Sequence, residues 1–149
     1  MGSPAGSGRE TILLATDLTE ASAAATGRAV DLARRLGARL LVVHVIGGHG
    51  PLSRSPGADE RRARTEEANL VAERARADGA DASFLVWEGE PGDGILAAAE
   101  AEGADLIVVG THDRGSVGRA ILGSVSDEVV HRSTIPVLLV RPPEPAPGP

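Results

Sequence analysis

The sequence predicts an α/β fold: one domain built on an open, doubly wound parallel sheet with helices on both faces. Three observations predict it. Five short apolar runs alternate with segments of helical periodicity, the runs are continuous in Leu, Val and Ile as in strands covered on both faces, and the 149 residues suit a single core. Short, right-handed connections turn a βαβαβαβαβ order into a parallel sheet.

The strands are expected at Thr11–Thr16, Leu40–Ile46, Ser83–Trp87, Leu106–Val109 and Val137–Val140. Ala25, Ala29, Leu32, Ala33 and Leu36 recur with helical spacing after the first strand, with Thr19 placed to cap that helix and Gly37 to end it. Ala58–Asp78 is rich in Glu and Arg, with a thin stripe through Ala63, Leu70, Val71 and Ala75, and reads as a solvated outer helix. A third helix is expected over Gly92–Glu100 on Ile95, Leu96 and Ala99, and a fourth over Val125–Arg132 on Val125, Val129 and Val130. The ends, residues 1–9 and 142–149, are rich in Gly, Ser and Pro and bury too little to offset their ordering entropy, so both are expected to be flexible tails around a domain at 10–141. Gly47–Gly57 reads either as a mobile lid or as a loose insertion.

Composition removes several classes of function. Apolar residues make up 42%, mostly Ala and Val, and Phe84 and Trp87 are the only large aromatics, so the core must be aliphatic. A net charge of −6 and the want of stacking platforms argue against a nucleic-acid partner. There is no cysteine, which excludes disulfides and thiolate chemistry. All 15 basic residues are arginine; without lysine there is neither a Walker-type phosphate loop nor a Schiff base. The histidines lack metal-site spacing, and no serine, histidine and acid constellation stands out as catalytic. No apolar run has signal-peptide or membrane-span length, so the expected address is the cytoplasm, away from membranes.

In sheets of this kind ligands sit beyond the carboxyl ends of the strands, where strand order reverses. Two loops meet that rule: Asp17 follows the first strand, and Gly110 follows the fourth and opens a glycine-rich stretch that runs to Ser124. Glycines let backbone N–H groups approach a phosphate, and the helix that starts near Gly123 adds unpaired donors. The alternative for this stretch is a flexible loop before a helix capped by Ser124, since Ser124-Val125-Ser126-Asp127 fits the Ser-x-x-Asp pattern.

Asp17 after the first strand, His44-Val45 closing the second, Gly89-x-Pro91, the run Asp105-Leu-Ile-Val-Val-Gly-Thr-His, then Leu122-Gly-Ser-Val-Ser and Ile135-Pro-Val-Leu-Leu-Val together resemble the universal stress protein family. The resemblance covers the chain apart from its tails. It implies the sheet order 3-2-1-4-5, a homodimer paired through the last strand (residues 135–141), and membership of either an ATP-binding or a non-binding branch. The binding branch is marked by Gly-x-x-Gly, nine residues, then Gly-Ser or Gly-Thr. Here Gly110, Gly123 and Ser124 match, while Asp113 stands in place of the second glycine.

Carried over residue by residue, the resemblance implies that Asp17 bonds the ribose with Ala15 and Thr16 beside it, and that the Val45 backbone meets the adenine edge. It implies too that Gly110 and Thr111, with Gly123, Ser124 and Val125, wrap the phosphates, aided by the Ser124 and Ser126 hydroxyls. Asp113 repels a triphosphate unless Arg114 and Arg119 compensate or a divalent cation, Mg²⁺ or Mn²⁺, bridges it. Asp17 has a second reading as a turn or cap carboxylate serving Thr19-Glu20, and Val45 as core. The apolar last strand becomes an edge under the family order; a twofold partner covers it, or the proline-rich tail does. The sequence thus points to an ATP-binding regulatory module with no catalytic residues. Its alternative is an interaction protein of the same fold with a vestigial site.

Overall fold

The computed structural model describes residues 8–47, 51, 54–111 and 123–143. The elements follow the expected alternation: β1 (Thr11–Ala15), a 3-10 turn (Glu20–Ser22), α1 (Ala23–Leu36), β2 (Arg39–Ile46), α2 (Ala58–Ala77), β3 (Asp81–Glu88), α3 (Pro91–Ala101), β4 (Leu106–Gly110), α4 (Ser124–Arg132) and β5 (Val137–Val140). All strand pairs are parallel and the order is β3-β2-β1-β4-β5, so the switch point lies between β1 and β4. The expectations for 1–7, for 144–149 and for residues 48–50, 52 and 53 of the Gly47–Gly57 stretch fall outside the described residues.

The core has two layers, one on each face of the sheet. Strand alternation sends Ile12 and Leu14 with Leu40 and Val42 towards α1 and α2, and Leu13 with Leu41, Val43, Ile107 and Val109 towards α3 and α4. The largest fully buried side chains are all Ile, Leu or Val. Alanines carry the helix contacts: Ala25, Ala29, Ala33, Ala72 and Ala75 on one face, Ala98 and Ala99 on the other. Small side chains let the helices lie close to the sheet, where the β-branched strand residues fill the space.

Three helical stripes differ from expectation. In α1 the buried residues are Ala25, Ala29, Val30 and Ala33, and Leu36 is 61% exposed, because the helix closes at Gly37 in the left-handed conformation and its last turn leaves the sheet. In α2 the buried stripe is Ala68, Ala72 and Ala75, whereas Leu70 is 49% exposed and Ala63 is exposed too. Spacing of four and three residues selects the alanines, and Leu70 falls on the solvent side. In α4, Ser126 and Val129 are buried and Val130 is exposed. The edge strands β3 and β5 are only partly buried, unlike the fully covered β1.

One electrostatic feature lies at the opposite end of the sheet from the switch point. The Asp105 carboxylate accepts the Thr11 N–H at 2.8 Å, and its charge, followed by a hydrogen bond and some desolvation, holds the Glu10 carboxyl above the ordinary glutamate range. A raised folded-state value means that the stabilising protonated form is complete at low pH and is lost as pH rises through that value. Glu10→Gln is therefore expected to raise the melting temperature slightly at pH 7 and to leave it unchanged below about pH 4, where glutamate is protonated in both states. A difference independent of pH would refute the repulsion.

Candidate functional site

Three strand ends and two helix starts converge at the switch point. Thr16 extends the β1–β2 ladder by one rung, its N–H donating to the Val43 carbonyl at 3.0 Å. The chain then turns sharply. Asp17 Oδ1 accepts the Thr19 N–H at 2.9 Å, the Thr19 hydroxyl at 2.7 Å and the Ser22 hydroxyl at 2.6 Å. Asp17 N–H donates to Ser22 Oγ at 3.1 Å, and Leu18 N–H to Thr16 Oγ1 at 3.0 Å. Leu18 has φ 65°, a left-handed conformation that costs a branched side chain energy, so the turn is held by these bonds rather than by local preference. The turn-carboxylate reading of Asp17 thus describes its Oδ1. Thr19 also caps the 3-10 turn, accepting the Ala21 N–H at 3.2 Å.

At the β4 side, Thr111 N–H donates to the Val140 carbonyl at 3.0 Å, which ties the strand end to β5. The Thr111 side chain is 4% exposed and lines the cleft described below. Helix α4 starts at Ser124 with Gly123, which has no side chain to offer, as its cap residue, and no side chain among the described residues caps it. This corrects the capping expectation for Ser124, which sits inside the first turn. Ser126 Oγ turns back to the Gly123 carbonyl at 3.0 Å. The N–H groups of the first turn are left to whatever occupies the space before them.

That space is a cleft of about 190 Å³. It is lined by Ala15, Thr16 and Asp17 from β1, by Val43, His44 and Val45 from β2, and by Val109, Gly110 and Thr111 from β4. Gly123, Ser124, Val125 and Ser126 close the α4 side. Every expected site residue within the described residues is therefore brought to one cavity; Asp113 and Arg114 lie outside the described residues. Its volume is below the roughly 300 Å³ of an enclosing small-molecule pocket. Pro91 and Ile95 of α3 and Ala21 and Ser22 of the turn also line it. None of these four is nominated for the site by the sequence, which places Pro91 only in the family resemblance and Ile95 only in the stripe of the third helix. Ser22 was within reach, lying five residues after Asp17 as an acceptor and donor for the same turn. Val45 is held from behind: a Cβ on Gly94 would lie 2.7 Å and 2.9 Å from its methyl groups, so only glycine admits it there. Among the described residues no group of three or more His, Asp or Glu could hold a metal ion.

An uncapped helix start beside a glycine-ended strand, at the reversal of an open parallel sheet, defines the switch-point cleft of a doubly wound α/β protein. The universal stress protein family model matches residues 8–141, and the chain belongs to that family. A universal stress protein of Thermus aquaticus is 42% identical over 137 residues, which cover 89% of this chain and 98% of that protein. A solved universal stress protein from Archaeoglobus fulgidus superposes with a TM-score of 0.74 at 25% identity, over 88% of this chain and 98% of that one. A universal stress protein solved in complex with cAMP gives a TM-score of 0.65 at 31% identity, over 88% and 95% of the two chains.

Proposed function

We propose that the protein is an adenine-nucleotide-binding regulatory module, taking ATP with Mg²⁺ or Mn²⁺, and that it acts by changing shape or partners rather than by catalysis. The observation that carries this reading is the convergence of ten sequence-nominated residues on one cleft with an uncapped helix start. Three α4 N–H groups and the helix dipole suit an anion, and the Thr111 hydroxyl in the same wall adds a donor independent of the helix. Val45, Pro91 and Ile95 offer an apolar seat for a base, and Asp17 an acceptor for a ribose hydroxyl. The relative solved with cAMP supports adenine as the base. The working place proposed is the cytoplasm; no helix among the described residues is long and apolar enough to cross a membrane.

A homodimer through residues 135–141 belongs to the same proposal. The two sheet edges differ. On β3 the ends are guarded by ion pairs, Arg9 with Asp81 and Arg61 with Glu88, and Arg76 Nε donates to the Ala82 carbonyl at 2.7 Å. β5 carries only Val and Leu, an edge that invites a partner strand.

A second reading, an interaction protein with a vestigial site, is favoured by one observation: Asp113 occupies the position of the motif's second glycine. Calorimetric titration of nucleotide-stripped protein with ATP and Mg²⁺, beside Asp113→Gly, separates the two. Micromolar binding by the wild type, about −8 kcal/mol, is the expected result. Silence from the wild type with binding by the variant gives the site to the second reading, and silence from both removes the nucleotide altogether. Sedimentation velocity on the same samples tests the dimer.

A further inference from the structure

We infer that His44 is a positioning residue for the nucleotide cleft: its imidazole fixes the peptide that carries Asp17, without contributing its own chemistry to a ligand. The inference rests on the proposed nucleotide reading, and part of its test does not. His44 is the one polar side chain of β2 sent to the α1–α2 face of the sheet, where Leu40 and Val42 precede it, and only 9% of it is exposed. A buried imidazole needs a partner. The partner is the Thr16 carbonyl, 2.9 Å from Nδ1. A carbonyl only accepts, so the Nδ1 atom carries the proton and donates it, which settles the tautomer.

The consequence lies in the geometry of one peptide plane. Thr16 C=O and Asp17 N–H belong to the same planar unit and point in opposite directions. His44 holds the first, and Ser22 Oγ accepts the second at 3.1 Å. The preceding N–H, that of Thr16, is held by the Val43 carbonyl. With both ends of the plane fastened, Thr16 and Asp17 are presented to the cleft in one orientation. The next residue, Leu18, already carries a left-handed φ of 65°. A turn with that strain has an incentive to rotate the Thr16–Asp17 peptide, and the His44 bond opposes it.

The test compares wild type, His44→Leu and His44→Gln. Three readouts are taken: imidazole nitrogen NMR, amide hydrogen exchange at Asp17, and cAMP and ATP titrations followed by the fluorescence of Trp87, the strand partner of Val45. The wild type is expected to show the Nδ1–H tautomer. His44→Leu is expected to exchange the Asp17 amide faster and to bind about tenfold more weakly, the worth of one buried hydrogen bond. His44→Gln, which retains a donor, is expected to recover most of both. An Nε2–H tautomer, unchanged exchange and affinity in His44→Leu, or equal losses in both variants would overturn the inference. If the wild type binds no nucleotide, the functional reading fails, while tautomer and Asp17 exchange still decide the role of His44. Should His44→Leu fail to fold, the tautomer and His44→Gln decide it.

Discussion

Gly47→Ala is expected to destabilise the fold by at least about 3 kcal/mol, a large part of a domain stability of about 5–15 kcal/mol. Gly47 follows β2 directly and has φ 156°. A Cβ there would lie 2.0 Å from the Gly89 carbonyl oxygen and 2.9 Å from its carbon. The obstacle is backbone, and that backbone is pinned, since Gly89 N–H donates to the Ile46 carbonyl at 3.0 Å. Gly92 is the control. The nearest atoms to a Cβ on Gly92 would be those of the Glu128 carboxylate, from 2.3 Å, the far end of a side chain that can swing aside. Gly92→Ala should therefore cost far less than Gly47→Ala. The loss at Gly47 falls two residues beyond Val45, so urea melts should be accompanied by a weakened cleft in whatever folded fraction remains. A Gly47→Ala protein within about 1 kcal/mol of wild type would mean that the β2 and β3 ends stand further apart in solution than described here.

The elements of the fold were legible because strand and helix periodicities differ and because Gly37 marks a real end; Thr19, expected to cap the first helix, instead caps the 3-10 turn ahead of it, and Ser22 takes the α1 cap position. Thr16 shows the limit at the margins: it was assigned to the first strand, and it makes the next ladder bond, but its carbonyl goes to a histidine side chain. Strand order could not be read from periodicity, since nothing local distinguishes an edge from a centre in Val-rich runs; it came from the family resemblance, and the observed order agrees. The cleft was legible as a set of strand ends, which is why Asp17, Val45 and Gly110 meet. Its α3 wall was not, because Pro91 and Ile95 act through tertiary placement, and Gly94 reveals its purpose only once Val45 packs on it. Ser124 misled for a physical reason. A serine followed by an acid three residues on fits both a cap and a first turn, and the preceding glycine, extended at φ −65° and ψ 159°, took the cap position.

The helical stripes lead to the second large effect. Hydrophobicity alone ranks Leu14, Leu36 and Leu70 together, and the sequence reading placed Leu36 and Leu70 on buried faces. Leu14 is fully buried in the central strand, between Val42 and Val108 in register. Leu14→Ala is expected to cost about 2–5 kcal/mol, the transfer of a buried side chain plus the cavity it leaves. Leu36→Ala and Leu70→Ala, at 61% and 49% exposure, are expected to stay within about 0.5 kcal/mol of wild type. Chemical denaturation of the three variants checks the ranking. A large loss at Leu70 would mean that α2 buries that side in the working protein, against a partner rather than the sheet. It would also bear on the dimer, because α2 packs on β2 and β3, at the far edge from β5. A protein that needs Leu70 would be pairing through the guarded edge, and its ion pairs and Arg76 would not keep β3 solitary.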